Sequence, residues 1–261
     1  MESVFTFDGD AIVPGPSARA QWYDDALHGG PVAALFARGV ERVESPLPMS
    51  VVRLTVDLMR PVPAKPLHLD TRVVRDGKRV QVLSALLREG DTEVAMATAL
   101  RLRTADVPIP DHPRRNAPSF PADLEPTLLG PPDETWFHTT AIEMRSPSGG
   151  FEVTGPGEAW VRLTVPLFEG ENPTPLQRVA AASDFGNGVG RVLDWSYVFM
   201  NADLSIHLHR QPEGEWICLR SRSDIDDRGA GMAQSELFDE KGAIGHALQM
   251  LYVDKVEAFR S

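Results

Sequence analysis

A chain of 261 residues with a formal charge of −11 is long enough for one large domain or two small ones, and it lacks the basic surplus that would hold a nucleic acid. Hydrophobic residues at 42% and charged residues at 24% are ordinary for a globular chain, which sets fibrous and disordered classes aside. The single cysteine, Cys218, excludes an internal disulfide framework; inside the apolar run Trp216-Ile217-Cys218-Leu219 it reads as a small buried hydrophobe rather than a nucleophile.

Taken from the start, Met1-Glu2-Ser3-Val4 lacks the basic and apolar regions of an export signal. No later apolar run approaches the roughly 20 residues that cross a bilayer. A soluble, cytoplasmic protein with no membrane partner is expected. Val4 to Phe7 opens the chain, and Ala20 to Tyr23 is a short strand candidate. His28-Gly29-Gly30-Pro31 then leads into Val32 to Glu41, a strong helix signal, because proline suits a first turn and the alanine-rich apolar run suits a helix buried on most sides. Four strands follow at Val51–Leu58, Leu67–Arg75, Val80–Arg88 and Glu93–Arg103, with turns at Asp76-Gly77 and Glu89-Gly90-Asp91. The unit is one long helix against an antiparallel sheet.

The stretch from 104 to 133 carries Pro108, Pro110, Pro113, Pro118, Pro121, Pro126, Pro131 and Pro132, which block both helix and ladder, so it reads as an extended surface linker. The pattern then repeats. Phe137–Met144 and Ala159–Leu163 are strand candidates. Leu176–Leu193 is the helix, weakened in its second half by Gly186, Gly188 and Gly190. Strands are predicted at Ser196–Arg210, Glu215–Ser223, Met232–Phe238 and Ile244–Val253, the last two joined by the hairpin at Asp239–Gly242.

The repetition extends to individual residues. Leu54-Thr55-Val56-Asp57-Leu58-Met59-Arg60-Pro61 returns as Leu204-Ser205-Ile206-His207-Leu208-His209-Arg210-Gln211, shifted by 150 residues. Ala97 to Leu102 returns as Gly245 to Met250, shifted by 148, which matches Arg101 to Gln249. Two copies of one α+β unit are expected, at 1–105 and 134–261 with a linker at 106–133. Their sheets should pair into one continuous sheet, with the active site between the copies.

With these motifs in order, the chain resembles the double hotdog acyl-CoA thioesterases of the thioesterase II (TesB-like) family. The resemblance rests on His28-Gly29-Gly30-Pro31 before the first helix and on Leu58-Met59-Arg60-Pro61. In the second half it rests on Ala182-Ser183-Asp184, on Leu208-His209-Arg210 followed by Glu215-Trp216, and on Gln249. It implies tandem hotdog units, a fatty or related acyl-CoA as substrate, no cofactor or metal, and a homo-oligomer, dimer or higher. It also implies a catalytic set of aspartate, threonine and glutamine that orients one water against the thioester carbonyl. Asp184 and Gln249 match that set. The threonine position falls on Asn201, which can hold a water but supplies no hydroxyl, and Ser205, further along the same strand face, is the alternative.

The residue types suit the chemistry. Hydrolysis needs a carboxylate or amide to hold water and donors for the oxyanion. Gly29 and Gly30 at a helix start offer such donors, with His28 beside them. Arg60 and Arg210 close equivalent strands and are candidates for coenzyme A phosphates. Because Asp184, Asn201, Ser205 and Gln249 all lie in the second copy, one site per chain is expected. His207, His209 and His246 lack a second ligand motif, and no metal is expected there. Two other readings remain open: a hotdog hydratase or dehydratase using an aspartate with His28 or His246, and a non-catalytic acyl-CoA binding protein. No Gly-x-Ser-x-Gly elbow exists, which argues against a serine hydrolase.

Overall fold

The computed structural model describes residues 3–23, 25–131, 133–149, 151 and 153–259; Pro132 of the linker lies outside them. A small hairpin, β1 (Phe5–Asp8) with β2 (Ala11–Pro14), precedes the first helix, α1 (Gly29–Glu41). The Ala20–Tyr23 stretch is not a strand: Arg19 and Leu27 form an isolated bridge around it, and Ala20 bonds back to Ala26 in a tight reversal. His28 caps α1 through Nδ1, which lies 3.1 Å from the Gly30 amide. Val32 through Ala37 are almost wholly buried, so this helix is covered on most sides, as its composition implies.

The first set of strands is β3 (Met49–Asp57), β4 (His68–Arg75), β5 (Val80–Glu89) and β6 (Thr92–Arg103). Residues 104–131 hold neither helix nor strand. The second unit opens differently from its sequence reading. Phe137–Thr140 is a short helix, α2, tied by Thr139 Oγ1 to the Trp136 backbone, and only Ile142–Ser148 is strand, β7. Then follow β8 (Gly157–Leu163), α3 (Pro175–Ser183), α4 (Gly186–Val189), β9 (Tyr197–Asn201), β10 (Asp203–Leu208), β11 (Ile217–Ile225), β12 (Ala230–Asp239), β13 (Gly242–Lys255) and α5 (Val256–Phe259).

The second long helix is therefore shorter than the Leu176–Leu193 run. Thr174 caps α3 in a reciprocal box with Gln177, and Pro175 takes the first position. The helix stops at Asp184-Phe185, and the chain makes one separate turn, α4, before leaving. The glycines explain the break. A β-carbon at Gly186 would lie 2.6 Å from both Gln249 Oε1 and Ser235 Oγ, so only glycine lets the chain settle this closely on the sheet.

Ten strands run antiparallel in the order β4-β5-β6-β3-β10-β13-β12-β11-β8-β7, with β9 added on β13. The two halves join where β3 pairs β10. There Thr55 faces Ser205, the residue 150 positions on, and their hydroxyls are 2.8 Å apart. Equivalent residues meeting face to face define a local two-fold relation between the copies. The relation holds along the strands. The bulge that leaves Val52 unpaired in β3 corresponds to the break at Ala202 between β9 and β10. Val51 opposite Arg101 corresponds to Asn201 opposite Leu251. Register thus stays at 150 throughout, and the 148-residue match is corrected: Gln249 is the counterpart of Ala99. Arg101 sits two residues further along the same inward face.

Candidate active site

The helices α1 and α3 run antiparallel, so the start of each meets the end of the other. At one such meeting Gly29 begins α1 against Asp184, which ends α3. The approach is close: a β-carbon on Gly29 would lie 2.5 Å from Asp184 Oδ1, and one on Gly30 would lie 2.9 Å from the Ala181 carbonyl. The Gly-Gly pair is thus a packing requirement of this crossing as well as an opening of the helix.

Asp184 is 4% exposed, and such a carboxylate needs partners. Asn201, at the end of β9, donates from Nδ2 to Asp184 Oδ1 at 2.5 Å and to its backbone carbonyl at 3.3 Å. Gln249, on β13, donates from Nε2 to the same carbonyl at 3.1 Å. His28 Nδ1 lies 2.9 Å from Asp184 Oδ2. The broken helix is essential here. Stopping the ladder at Asp184 frees its carbonyl for two side-chain amides and turns its carboxylate toward His28.

One proton decides the state of this cluster. His28 Nδ1 faces both the Gly30 N–H and Asp184 Oδ2. If the ring proton sits on Nδ1, it is donated to the carboxylate, and the Gly30 N–H loses its acceptor. If Nδ1 accepts from the Gly30 N–H, its one lone pair is used and it does not bond Asp184. The Asn201 Oδ1 atom is buried and has no partner among the described residues.

A cavity of about 260 Å³ opens on this cluster. His28, Gly29, Asp184 and Asn201 form part of its wall, and the exposed Arg60 lies further along it. Gln249 lies behind Asp184 and is not part of the wall. His138, from α2, also lines the cavity. Burial, and secondarily the nearby His28, pushes its imidazole down to about 3, so it is held neutral. The two imidazole rings are 5.6 Å apart.

Of the sequence-predicted residues, Asp184, Asn201, Gln249, His28, Gly29 and Gly30 come together, and Arg60 joins them on the cavity. Two do not. Ser205 sits at the seam between the copies with its hydroxyl on Thr55, because β9 and β10 are separate strands and the face count from Asn201 does not carry across the break. Arg210 is bound bidentately to the buried Asp239, at 2.6 Å for each bond, and also to the Gly242 and Ala243 carbonyls; it holds the last hairpin. His138 and the aromatic wall formed by Phe151, Trp195 and Phe199 were missed. The signal for His138 was weak: a lone histidine in a segment that reads as a strand.

Two helix-and-sheet units fused through one antiparallel sheet form a tandem hotdog fold. Solved structures agree. A hot dog fold protein of unknown function from Alicyclobacillus acidocaldarius is 16% identical, with a TM-score of 0.73 over 96% of this chain and 95% of that one. The acyl-CoA thioesterase II TesB2 from Mycobacterium marinum is 14% identical, with a TM-score of 0.67 over 96% and 94%. The tesB protein of Mycobacterium avium subs paratuberculosis is 14% identical, with a TM-score of 0.64 over 87% of each chain. At these identities the likeness is one of fold. No curated protein matches the chain.

The family is established by sequence profile. The acyl-CoA thioesterase N-terminal domain matches residues 18–102 and the acyl-CoA thioesterase C-terminal domain matches residues 112–253. The chain belongs to this acyl-CoA thioesterase family. Among the described residues no helix is long and apolar enough to cross a membrane.

Proposed function

We propose that this protein hydrolyses acyl-CoA thioesters to the free acid and coenzyme A, using one water activated by Asp184. The observation that carries the reading is the convergence of Asn201, Gln249 and His28 on Asp184 at the wall of the cavity. Asn201 fixes Oδ1, and Gln249 acts as a positioning residue that holds the peptide carrying the carboxylate. Asp184 takes a proton from water as the water oxygen attacks the thioester carbon. The carbonyl oxygen becomes an oxyanion. Its donors are the backbone N–H groups of Gly29 and Gly30 at the start of α1, where the helix dipole adds to the stabilisation. With the ring proton on His28 Nδ1 and donated to Asp184, the Gly30 N–H is released from its cap and is free for this task. The intermediate collapses with cleavage of the C–S bond, and the thiolate recovers the proton from Asp184. Arg60, exposed on the cavity wall, is the proposed partner of a coenzyme phosphate.

The His28–Asp184 contact also favours a second reading, a hydratase or dehydratase on acyl thioesters, which needs that pair at a helix start. One experiment separates the two. Incubation with saturated and enoyl-CoAs in the presence of a thiol reagent should release free thiol. A change in enoyl absorbance without thiol release supports the hydratase instead. Thermal protection with neither signal supports a binding protein.

A further inference from the structure

Seven of the twenty-five residues around the cavity are Phe, Trp or Tyr, against 7% of the whole chain, so the enrichment is about fourfold. The rings form a continuous row from solvent to the reacting cluster. Trp195, 42% exposed, packs at 5.5 Å from Phe199 and is stacked at 5.9 Å on Phe151. Trp22 meets Phe199 edge-on at 5.9 Å. Phe151 is edge-on to the buried Phe185 at 6.4 Å, and Phe185 lies 5.1 Å from His28. Gly188 makes room for this row: a β-carbon there would lie 2.6 Å from the Phe151 ring.

The cavity is also short. Beyond Gly29, the α1 residue on its wall is Val32, so it does not follow the helix into the core. A volume of about 260 Å³ is less than twice the roughly 150 Å³ in which benzene binds. That leaves room for one ring and a short linker, or for a chain of about eight carbons. The wall chooses between these. Aromatic side chains turn on only two torsions and form flat, rigid slots. A planar acyl group packed offset or edge-on against them gains an aromatic–aromatic interaction beyond its buried area, and an alkyl chain of equal size does not.

From these rings and this volume, we infer that the acyl group taken by the site is aromatic: an aryl or short arylalkyl thioester rather than a long fatty acyl one. The inference rests on the thioesterase reading above for the reaction, but not for the binding preference. The test uses phenylacetyl-CoA, cyclohexylacetyl-CoA and octanoyl-CoA, whose acyl groups share a carbon count and differ in flatness and π-character. The expected kcat/KM for phenylacetyl-CoA is about 10-fold above each of the others. Trp195→Leu, at an exposed position, should lower kcat/KM for phenylacetyl-CoA more than for octanoyl-CoA and so cut that ratio severalfold; Phe199→Leu should do the same from the buried side. Equal or better hydrolysis of octanoyl-CoA overturns the inference. So does an equal loss on all three substrates in Trp195→Leu, which would make that ring a platform for the coenzyme's adenine. If no thioester is hydrolysed, the reaction assignment fails on its own. The acyl preference is then read from dissociation constants of the corresponding non-hydrolysable thioethers, by tryptophan fluorescence, with the same ranking expected and the same reversal contradicting it.

Discussion

The two ends of the α1–α3 pair are built on one plan and carry opposite contents. At one end the cap of α1, His28, meets Asp184, which ends α3. At the other the cap of α3, Thr174, meets Glu41, which ends α1: Thr174 Oγ1 lies 2.8 and 2.9 Å from its carboxylate oxygens, and Gln177 Nε2 lies 3.0 Å away. The positions equivalent to the residues proposed for the reaction carry different side chains. Asn201 becomes Val51, Gln249 becomes Ala99, and Gly29 becomes Pro175. Ten residues after the cap, where α3 has Asp184, α1 has Arg38. Arg38 is bound bidentately to Glu171 at 2.6 and 2.7 Å and lies 4.1 Å over the Phe168 ring. Arg101 bonds the Val40 and Val43 carbonyls. Burial raises the Glu41 carboxyl, against the hydrogen bonds of Thr174 and Gln177 and the charge of Arg101. The comparison teaches that duplication supplied two equivalent crossings. One became a cavity with a carboxylate on its wall, and the other became a polar lock.

The largest effect should come from removing the acid at the open end. Asp184→Asn should lower kcat for acyl-CoA hydrolysis by about 10²-fold or more, with folding intact by circular dichroism. Full activity in the folded variant would take Asp184 out of the reaction. Gly29→Ala puts a methyl against the Asp184 carboxylate and should lower kcat by about 10-fold or more, the scale of a small misplacement of a reacting group. An unchanged rate would mean that the crossing is looser than its contacts imply.

The closed end should respond in stability and not in turnover. Arg38→Met strands Glu171 with Arg42 alone, and should cost about 1–3 kcal/mol in denaturant unfolding while kcat holds. A collapse of kcat with unchanged stability would make this end a working site. The smallest effect is a slope. His138 is held neutral down to about 3, so between that pH and its ordinary 6.5 the unfolded chain binds a proton that the folded one does not. Its contribution to stability is present above about 6.5 and is lost as pH falls through that window. His138→Phe should therefore flatten the fall of Tm between pH 6.5 and 4, and an unchanged slope would show that the imidazole protonates in place.

Much of this was legible in the chain itself. The 150-residue echo of Leu54 to Pro61 located the strands that join the halves, because strand register is carried by side-chain alternation and survives divergence. Family resemblance singled out Asp184, Asn201 and Gln249, which the fold brings into contact. Ser205 was not separable from Asn201, since nothing local marks Ala202 as a strand break. Arg210 read as a phosphate ligand because its partner Asp239 lies a hairpin away. The 148-residue match misled because Ala-Leu-rich strands align almost equally well two residues apart, with the same face inward. The aromatic wall was illegible for the opposite reason: Trp22, Phe151, Trp195 and Phe199 are scattered in sequence and meet only through the fold.

The central claim is that one crossing reacts and its twin does not, and counting sites tests it most directly. Titration of the folded protein with a non-hydrolysable acyl-CoA analogue should saturate at one tight site per 261-residue chain, and that site should be weakened in Gly29→Ala but unaffected by Arg38→Met. Two equivalent tight sites per chain, or one that Arg38→Met abolishes while Gly29→Ala spares it, would contradict the account.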